Sequence, residues 1–360
     1  MKKFMLLATM VGLALTSCVN EEETVLTGGK SAIAFDAPVM KSSRVHVSGE
    51  ISGVTYPTAE TFTVFSKIYE GSYAGWTTST DVKDYFNAVG DSTRYDGSYW
   101  ATSTVYYWPD AGYNLAFSAY SPATFGAAAS AAQVTRTDEG IQIANFTTEA
   151  ASDDQYDLMY SHTVYDRNKE NNTGAAVSLL FEHALSSIVF SSQKSDAAVD
   201  YKITNIGVTG TFYTNGDFNQ GVQGAVAGGV YSETENPQWT LKGASSVNYN
   251  PSLPADVDVP VASPAIFTGG TSAILTLPQN VPADAKVWVH YTKSSNGTST
   301  DHVAEILLKD FRKADNTEIT TWERGKRYVY RIAFGKNERI YFEPTVTDWV
   351  QESTLIYTIK

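Results

Sequence analysis

Cys18 is the only cysteine in this chain of 360 residues, and it follows directly on Leu15-Thr16-Ser17. Without a second thiol no intrachain disulfide can form. The setting points instead to lipid attachment. Lys2 and Lys3 precede an apolar run over residues 4–15 that holds no acid. A basic start on a short apolar core is an export signal, too short to span a bilayer. A small residue ahead of a lone cysteine is the pattern of a bacterial lipoprotein signal, in which the thiol takes a diacylglycerol and becomes the new N-terminus. Residues 1–17 therefore read as the signal peptide and Cys18 as the lipidation site. The plainer alternative is an ordinary signal followed by an incidental cysteine.

No other group of residues makes as strong a case for chemistry. His46, His162, His183, His290 and His302 are scattered and lack the i, i+4 spacing of a zinc site. His183 falls on the apolar face of a strong strand pattern, where a hydrogen-bonded core histidine outweighs a catalytic one. Asp153, Asp154 and Asp157 could be imagined as the paired carboxylates of a glycosidase. Such pairs come from separate elements facing a cleft, and three acids in one polar loop read as solvated. Asp166, Asn168 and Glu170 alternate as in a calcium loop, but Asn171 stands where that loop needs glycine and Val177 where it needs the bidentate Glu. An EF-hand is excluded and at most a weak surface cation site remains. The glycines of residues 216–229 lack the Lys-Ser/Thr or following helix of a phosphate cradle. Tyr95, Tyr99, Trp100, Tyr106, Tyr107 and Trp108 read as buried sheet residues in preference to an exposed sugar platform. The reading is a protein with no catalytic residues, no metal and no cofactor.

The charge is strongly acidic. Lys and Arg number 26 against 39 Asp and Glu, for a net −13, and removing the signal takes two more lysines away. That balance excludes nucleic acid, whose phosphates need clustered Lys and Arg. Glu21, Glu22 and Glu23 make residues 18–30 an acidic tether. This tether resembles the surface-export signals of Bacteroidetes lipoproteins, and a merely solvated leader is the competing reading.

The elements that hold these residues are strands. Tyr, Phe and Trp number 22, 16 and 7, and with abundant Thr, Ser and Val they favour sheet over helix. Period-two alternation recurs along the chain. Ile33, Phe35, Ala37 and Val39 point one way, as do Phe62, Val64 and Ile68, and then Leu115, Phe117 and Ala119. Val177, Leu179 and Phe181 alternate to about Leu185, where the phase slips to Ile188 and Phe190. A slip of this kind marks a bulge or a strand leaving one sheet for another, and the domain boundary is placed there. Asn215-Gly216 reads as a two-residue hairpin turn after Phe212 and Tyr213, and Asn296-Gly297 as part of a loop after Val287, Val289 and Tyr291. Residues 221–264 read mostly as long loop. Weak helical turns are expected at 81–89 and 127–134. The sum is an all-β protein of two Greek-key β-sandwich domains in tandem, at 31–176 and 177–360.

Several local patterns together resemble the fimbrillin superfamily of Bacteroidetes, the subunits of type V pili and their relatives. They are the start at Cys18, Ile33-Ala34-Phe35-Asp36 followed by Arg44, and Val105-Tyr106-Tyr107-Trp108-Pro109. Leu115 to Pro122, Asp157-Leu158-Met159-Tyr160 and Phe181-Glu182-His183-Ala184-Leu185 follow. Leu277-Pro278-Gln279, Trp322 to Tyr330 and Val346-Thr347-Asp348-Trp349 complete the set, which spans about residues 31–350.

The resemblance implies transthyretin-like sandwiches and a structural or adhesive fimbrial subunit, partnered by other fimbrial subunits, with a host or bacterial surface ligand open. The lipidated precursor would reach the outer membrane, be surface-exposed, and be cut by a trypsin-like protease after Arg44, with Lys41 as the alternative. The strand of Ile33, Phe35 and Val39 would then be exchanged for a neighbour's strand by β-augmentation. Residues 353–360, with Leu355, Tyr357 and Ile359 on one face, are the candidate C-terminal donor strand. Stalk, tip and anchor roles all stay open, with an accessory or tip-like subunit favoured. The rival is a surface glycan-binding lipoprotein of a polysaccharide-uptake system, which needs an exposed aromatic platform; a carboxylate enzyme is the remote third.

Overall fold

The computed structural model describes residues 31–39, 56–73, 82–125, 132–137, 140–172, 176–221, 238–261, 263–311, 313, 317–335 and 340–348. The first strands are β1 (Phe35–Asp36), β2 (Thr63–Glu70), β3 (Lys83–Asp84), β4 (Asp91–Tyr95), β5 (Trp100–Thr102) and β6 (Tyr113–Ser121). A hairpin, β7 (Gln133–Thr137) and β8 (Gly140–Thr147), leads to β9 (Met159–Ser161), β10 (Val164–Arg167), β11 (Val177–Ser178) and β12 (Phe181–His183). The chain continues through β13 (Ser186–Lys194), the 20-residue β14 (Asp200–Asn219), β15 (Gln238–Tyr249), β16 (Val257–Asp258), β17 (Ala265–Ile266) and β18 (Ile274–Thr276). It closes with β19 (Gln279–Asn280), β20 (Lys286–Ser295), β21 (Thr298–Leu307), β22 (Thr321–Trp322), β23 (Lys326–Phe334) and β24 (Ile340–Asp348).

The first sheet runs β11-β1-β5-β4-β2-β6-β9-β12, with β10 added to β6 and β3 to β2. Its two ends, β11 and β12, are successive pieces of one segment, residues 177–183, so the sheet returns on itself. Closure removes the open edges an exposed sheet would present. Phe35, Phe62, Val64, Leu115, Phe117, Leu179 and Phe181 pack into one buried cluster against it.

At Leu185 the chain changes sheet. β12 pairs with β9, whereas β13, after a two-residue link, pairs with β18 and runs parallel to β23. The phase slip in the sequence is this crossing: the buried face is redefined when the neighbours change. A five-stranded sheet, β17-β13-β23-β24 with β18, and a seven-stranded sheet, β21-β20-β14-β8-β7 with β15 and β16, then share a second core. Ile188, Phe190, Ile203, Phe212, Tyr328 and Tyr330 belong to that core, as in a sandwich. A third cluster, including Phe65, Ile143, Tyr160, Leu185, Phe218 and Leu277, joins the two. Strand pairing also crosses the 176/177 division, because β8 pairs with β14.

Four sequence expectations are corrected. Asn215-Gly216 makes no turn: both residues lie inside β14, opposite Lys242 and Leu241 of β15. The glycine serves close packing there, with Trp239, the Thr240 carbonyl and Leu277 around the place a side chain would occupy. Residues 238–249 are a strand, not loop. Trp239, Leu241, Val247 and Tyr249 of β15 pack inward, but Gly243 and Ser245 interrupt that face and blur the alternation, and the backbone ladder with β14 holds the strand. The expected helical turn at 81–89 holds β3 instead, and the described part of 127–134 leads into β7. Asp157, expected in a solvated loop, is buried. By contrast Asn296 (φ 51°) and Gly297 (φ 79°) make a two-residue turn between β20 and β21, with Ser295 opposite Thr298; both residue types accept positive φ.

Candidate functional site

Residues 31–39 form the stave that closes the first sheet. Their alternation dictates two faces, and the structure buries one of them: Ile33, Phe35, Ala37 and Val39 are 4%, 0%, 0% and 3% exposed. Asp36 and Ala32 face out, and Ala34 and Pro38 are half-buried. Phe35 meets Phe117 edge-to-face at a centroid distance of 5.3 Å and Phe86 at 6.3 Å. Burying a Val, Ile or Phe side chain fully is worth roughly 1.5–3 kcal/mol, so the sandwiched face alone holds the strand in place.

Both backbone edges are also used. On one side the strand lies parallel to residues 177–181: Val177 N–H donates to the Ala34 carbonyl at 2.8 Å, Leu179 to Asp36 at 2.7 Å and Phe181 to Pro38 at 2.9 Å. On the other it runs antiparallel to β5 and to Tyr107, with Ile33 N–H donating to Tyr106 (2.9 Å), Trp108 to Ser31 (3.2 Å) and Tyr56 to Ala37 (2.9 Å). A strand bonded on two edges and buried on one face is an insert. The residues around it could hold any extended segment of matching side-chain pattern.

One residue beyond this ladder sits a charged joint. Glu182 is bonded by His162 Nε2 at 2.8 Å, Tyr160 Oη at 2.7 Å and Arg324 Nη1 at 2.9 Å, and Arg324 also donates to Tyr160 Oη at 2.6 Å. Burial would push the Glu182 carboxyl up, but the hydrogen bonds from His162 and Arg324, the His162 charge and the Tyr160 bond outweigh it and hold the group well below the ordinary carboxylate range. Arg324 lies in the turn before β23, so the joint links the first sheet to the second half of the chain. Asp157 pairs with His183 Nδ1 at 2.9 Å beside it.

Of the sequence-predicted residues, Ile33, Phe35 and Val39 are brought together as expected. Cys18, Lys41, Arg44, Leu355, Tyr357 and Ile359 lie outside the described residues. His183 is a hydrogen-bonded core residue, as its strand position indicated. Asp166 Oδ1 accepts from Tyr69 Oη at 3.0 Å and from Tyr73 N–H at 2.6 Å, which commits it to structure. Trp100 and Trp108 are buried, whereas Tyr99 is exposed. The Glu182–Arg324 pairing was missed, although a lone acid between Phe181 and His183 in an apolar strand is the signal that a buried partner exists.

The fimbrillin-like family model matches residues 67–349. Among solved structures, a fimbrial protein from Bacteroides vulgatus superimposes with a TM-score of 0.52 at 14% identity, covering 89% of this chain and 100% of that one. Two proteins described as putative cell adhesion proteins are also similar. The one from Bacteroides uniformis has a TM-score of 0.47 and 12% identity, covering 89% of this chain and 99% of that one. The one from Bacteroides ovatus has a TM-score of 0.47 and 13% identity, covering 90% and 100%. No curated protein matches significantly. The first of these structures shares the all-β fold described above.

Proposed function

Because the chain belongs to the fimbrillin-like family, we propose that it is a structural or adhesive subunit of a surface fimbria, exported as a lipoprotein on Cys18 and assembled by exchange of its first strand. The family is structural and adhesive, not enzymatic. The observation that carries the exchange reading is the inserted stave: residues 31–39 are bonded on both edges, buried at every second side chain, and followed within five residues by Lys41 and Arg44. A cut after Arg44 leaves that strand held only by non-covalent contacts. Its loss opens the closed sheet and exposes an apolar trough flanked by unpaired N–H and C=O groups, which a neighbour's strand can fill. Until then a triacylated Cys18 anchors the precursor to the outer membrane at roughly 0.8 kcal/mol per buried methylene, and the finished subunit works in the fimbrium with other subunits.

The test has two arms. Cys18→Ala should release the protein from membranes or leave its signal uncleaved; normal mature mass in the membrane fraction sinks the lipid anchor. Limited Arg-specific proteolysis of purified precursor should cut after Arg44, and adding a fimbrial subunit with a fitting donor strand should then displace residues up to Arg44 and start chain-to-chain assembly. Fibres that retain the first strand would sink strand exchange while leaving a fimbrial role standing.

A further inference from the structure

We infer that the first-strand slot selects its occupant by side-chain size at the position of Ala37, and that it rejects residues 349–360 of a second copy, so that identical copies do not join head to tail through that segment. The inference rests on the strand-exchange reading above. The slot fixes polarity, parallel to residues 177–181 and antiparallel to β5. It also fixes four inward positions two residues apart, filled here by Ile33, Phe35, Ala37 and Val39, all at most 4% exposed. Ala37 is fully covered, and its carbonyl is held by Tyr56 N–H at 2.9 Å, so the backbone cannot back away to admit a larger group. The fitting strand therefore carries a branched aliphatic, an aromatic, a small and a β-branched residue in that order.

Residues 340–348 are committed to pairing with β23, so a donor strand from this end of the chain is counted from Trp349. Every register of residues 349–360 that fills the four positions puts a wrong group in a buried place. Starting at Trp349 or Val350 sets Gln351 or Glu352 where Phe35 lies. Starting at Gln351 or Glu352 puts that polar residue at Ile33's place and Leu355 or Ile356 at Ala37's. Starting at Ser353 sets Tyr357 at Ala37's place, and starting at Thr354 sets Lys360 at Val39's. Burying an unpaired polar group or overfilling a closed site each disfavours binding, and such misfits are how an interface excludes the wrong partner. The partner is a strand of the stated pattern from a different subunit.

The test uses the full chain nicked after Arg44, loaded with a fluorescent peptide of residues 31–39 that displaces the native strand. Unlabelled peptide 31–39 should compete. Peptide 349–360 should be at least ten-fold weaker, and the same peptide with Tyr357→Ala, which offers Leu355, Ala and Ile359 to the last three positions, should regain at least three-fold. Equal competition by the unsubstituted 349–360 peptide, or no gain from Tyr357→Ala, overturns the size selection. Failure of peptide 31–39 itself to enter overturns strand exchange, and the selection with it.

Discussion

Arg324 Nη1 donates to the Glu182 carboxylate at 2.9 Å, and Glu182 directly follows Phe181, whose backbone bridges Val39 of the first strand. One carboxylate thus connects the slot of the inserted strand to the turn ahead of β23. Its side chain is 17% exposed and that of Arg324 27%, so solvent screens the pair only in part.

Glu182→Gln should destabilise the protein by about 1–3 kcal/mol at neutral pH, the range for charged hydrogen bonds lost in a covered site. The folded-state pKa is depressed, so the stabilisation is fully present above the ordinary Glu value of about 4.3 and disappears as pH falls through the lower folded value. Urea melts of both proteins at pH 7 and below pH 4 check this. The gap between them should shrink in acid, and a constant gap would show that the carboxylate's charge contributes nothing.

Phe35→Ala should cost about 3–5 kcal/mol, the usual loss for a large aromatic in a core, because Phe35 is fully buried against Phe86 and Phe117. Its exposed neighbour Asp36 should tolerate Ala within about 0.5 kcal/mol. After nicking behind the strand, the Phe35→Ala fragment should leave on gel filtration while the Asp36→Ala fragment stays.

Two glycines should fail for different reasons. At Gly207 a methyl group would overlap the Tyr249 carbonyl and the Trp288 ring, so Gly207→Ala should lose about 1–3 kcal/mol by overpacking. Gly297 has open space around it but a φ of 79°. There Ala should cost about 1–2 kcal/mol from backbone strain, and Asn, which tolerates that region, should recover most of it. Thermal melts of the three variants separate the causes.

Alkaline unfolding should be steep. Burial pushes Tyr328 up to about 12, against the hydrogen bond it receives from Glu323 N–H; burial likewise raises Tyr56 and Tyr330 beyond the tyrosine range. Raised folded values mean that this stabilisation is complete below about pH 10 and lost as pH climbs toward 12. Tyrosinate absorbance should therefore rise in two steps, the second coinciding with loss of the far-ultraviolet sheet signal. A single smooth titration with the fold intact would contradict it.

What the residues themselves determined is local and tied to burial. Ile33, Phe35, Ala37 and Val39 announce a strand with one covered face, because a buried face selects apolar groups at period two. Asn296-Gly297 announces a turn, because few residue types accept positive φ. The slip at Leu185 announces a bulge or a change of sheet, because the covered face changes with the neighbours, and the strand pairing makes it the second. The family resemblance drew on such patterns in series, and the family model bears it out. The tertiary structure alone decided which segments meet. Backbone ladders use the same N–H and C=O groups whatever the side chain, so nothing in residues 177–183 tells that both ends of the first sheet lie there, or that the first strand closes the gap. β15 is not legible as a strand because Gly243 and Ser245 break its apolar face, and Asn215-Gly216 reads as a turn although its glycine makes room for Trp239. Glu182 and Arg324 are 142 positions apart; only the packing of one sheet against the other brings them to 2.9 Å.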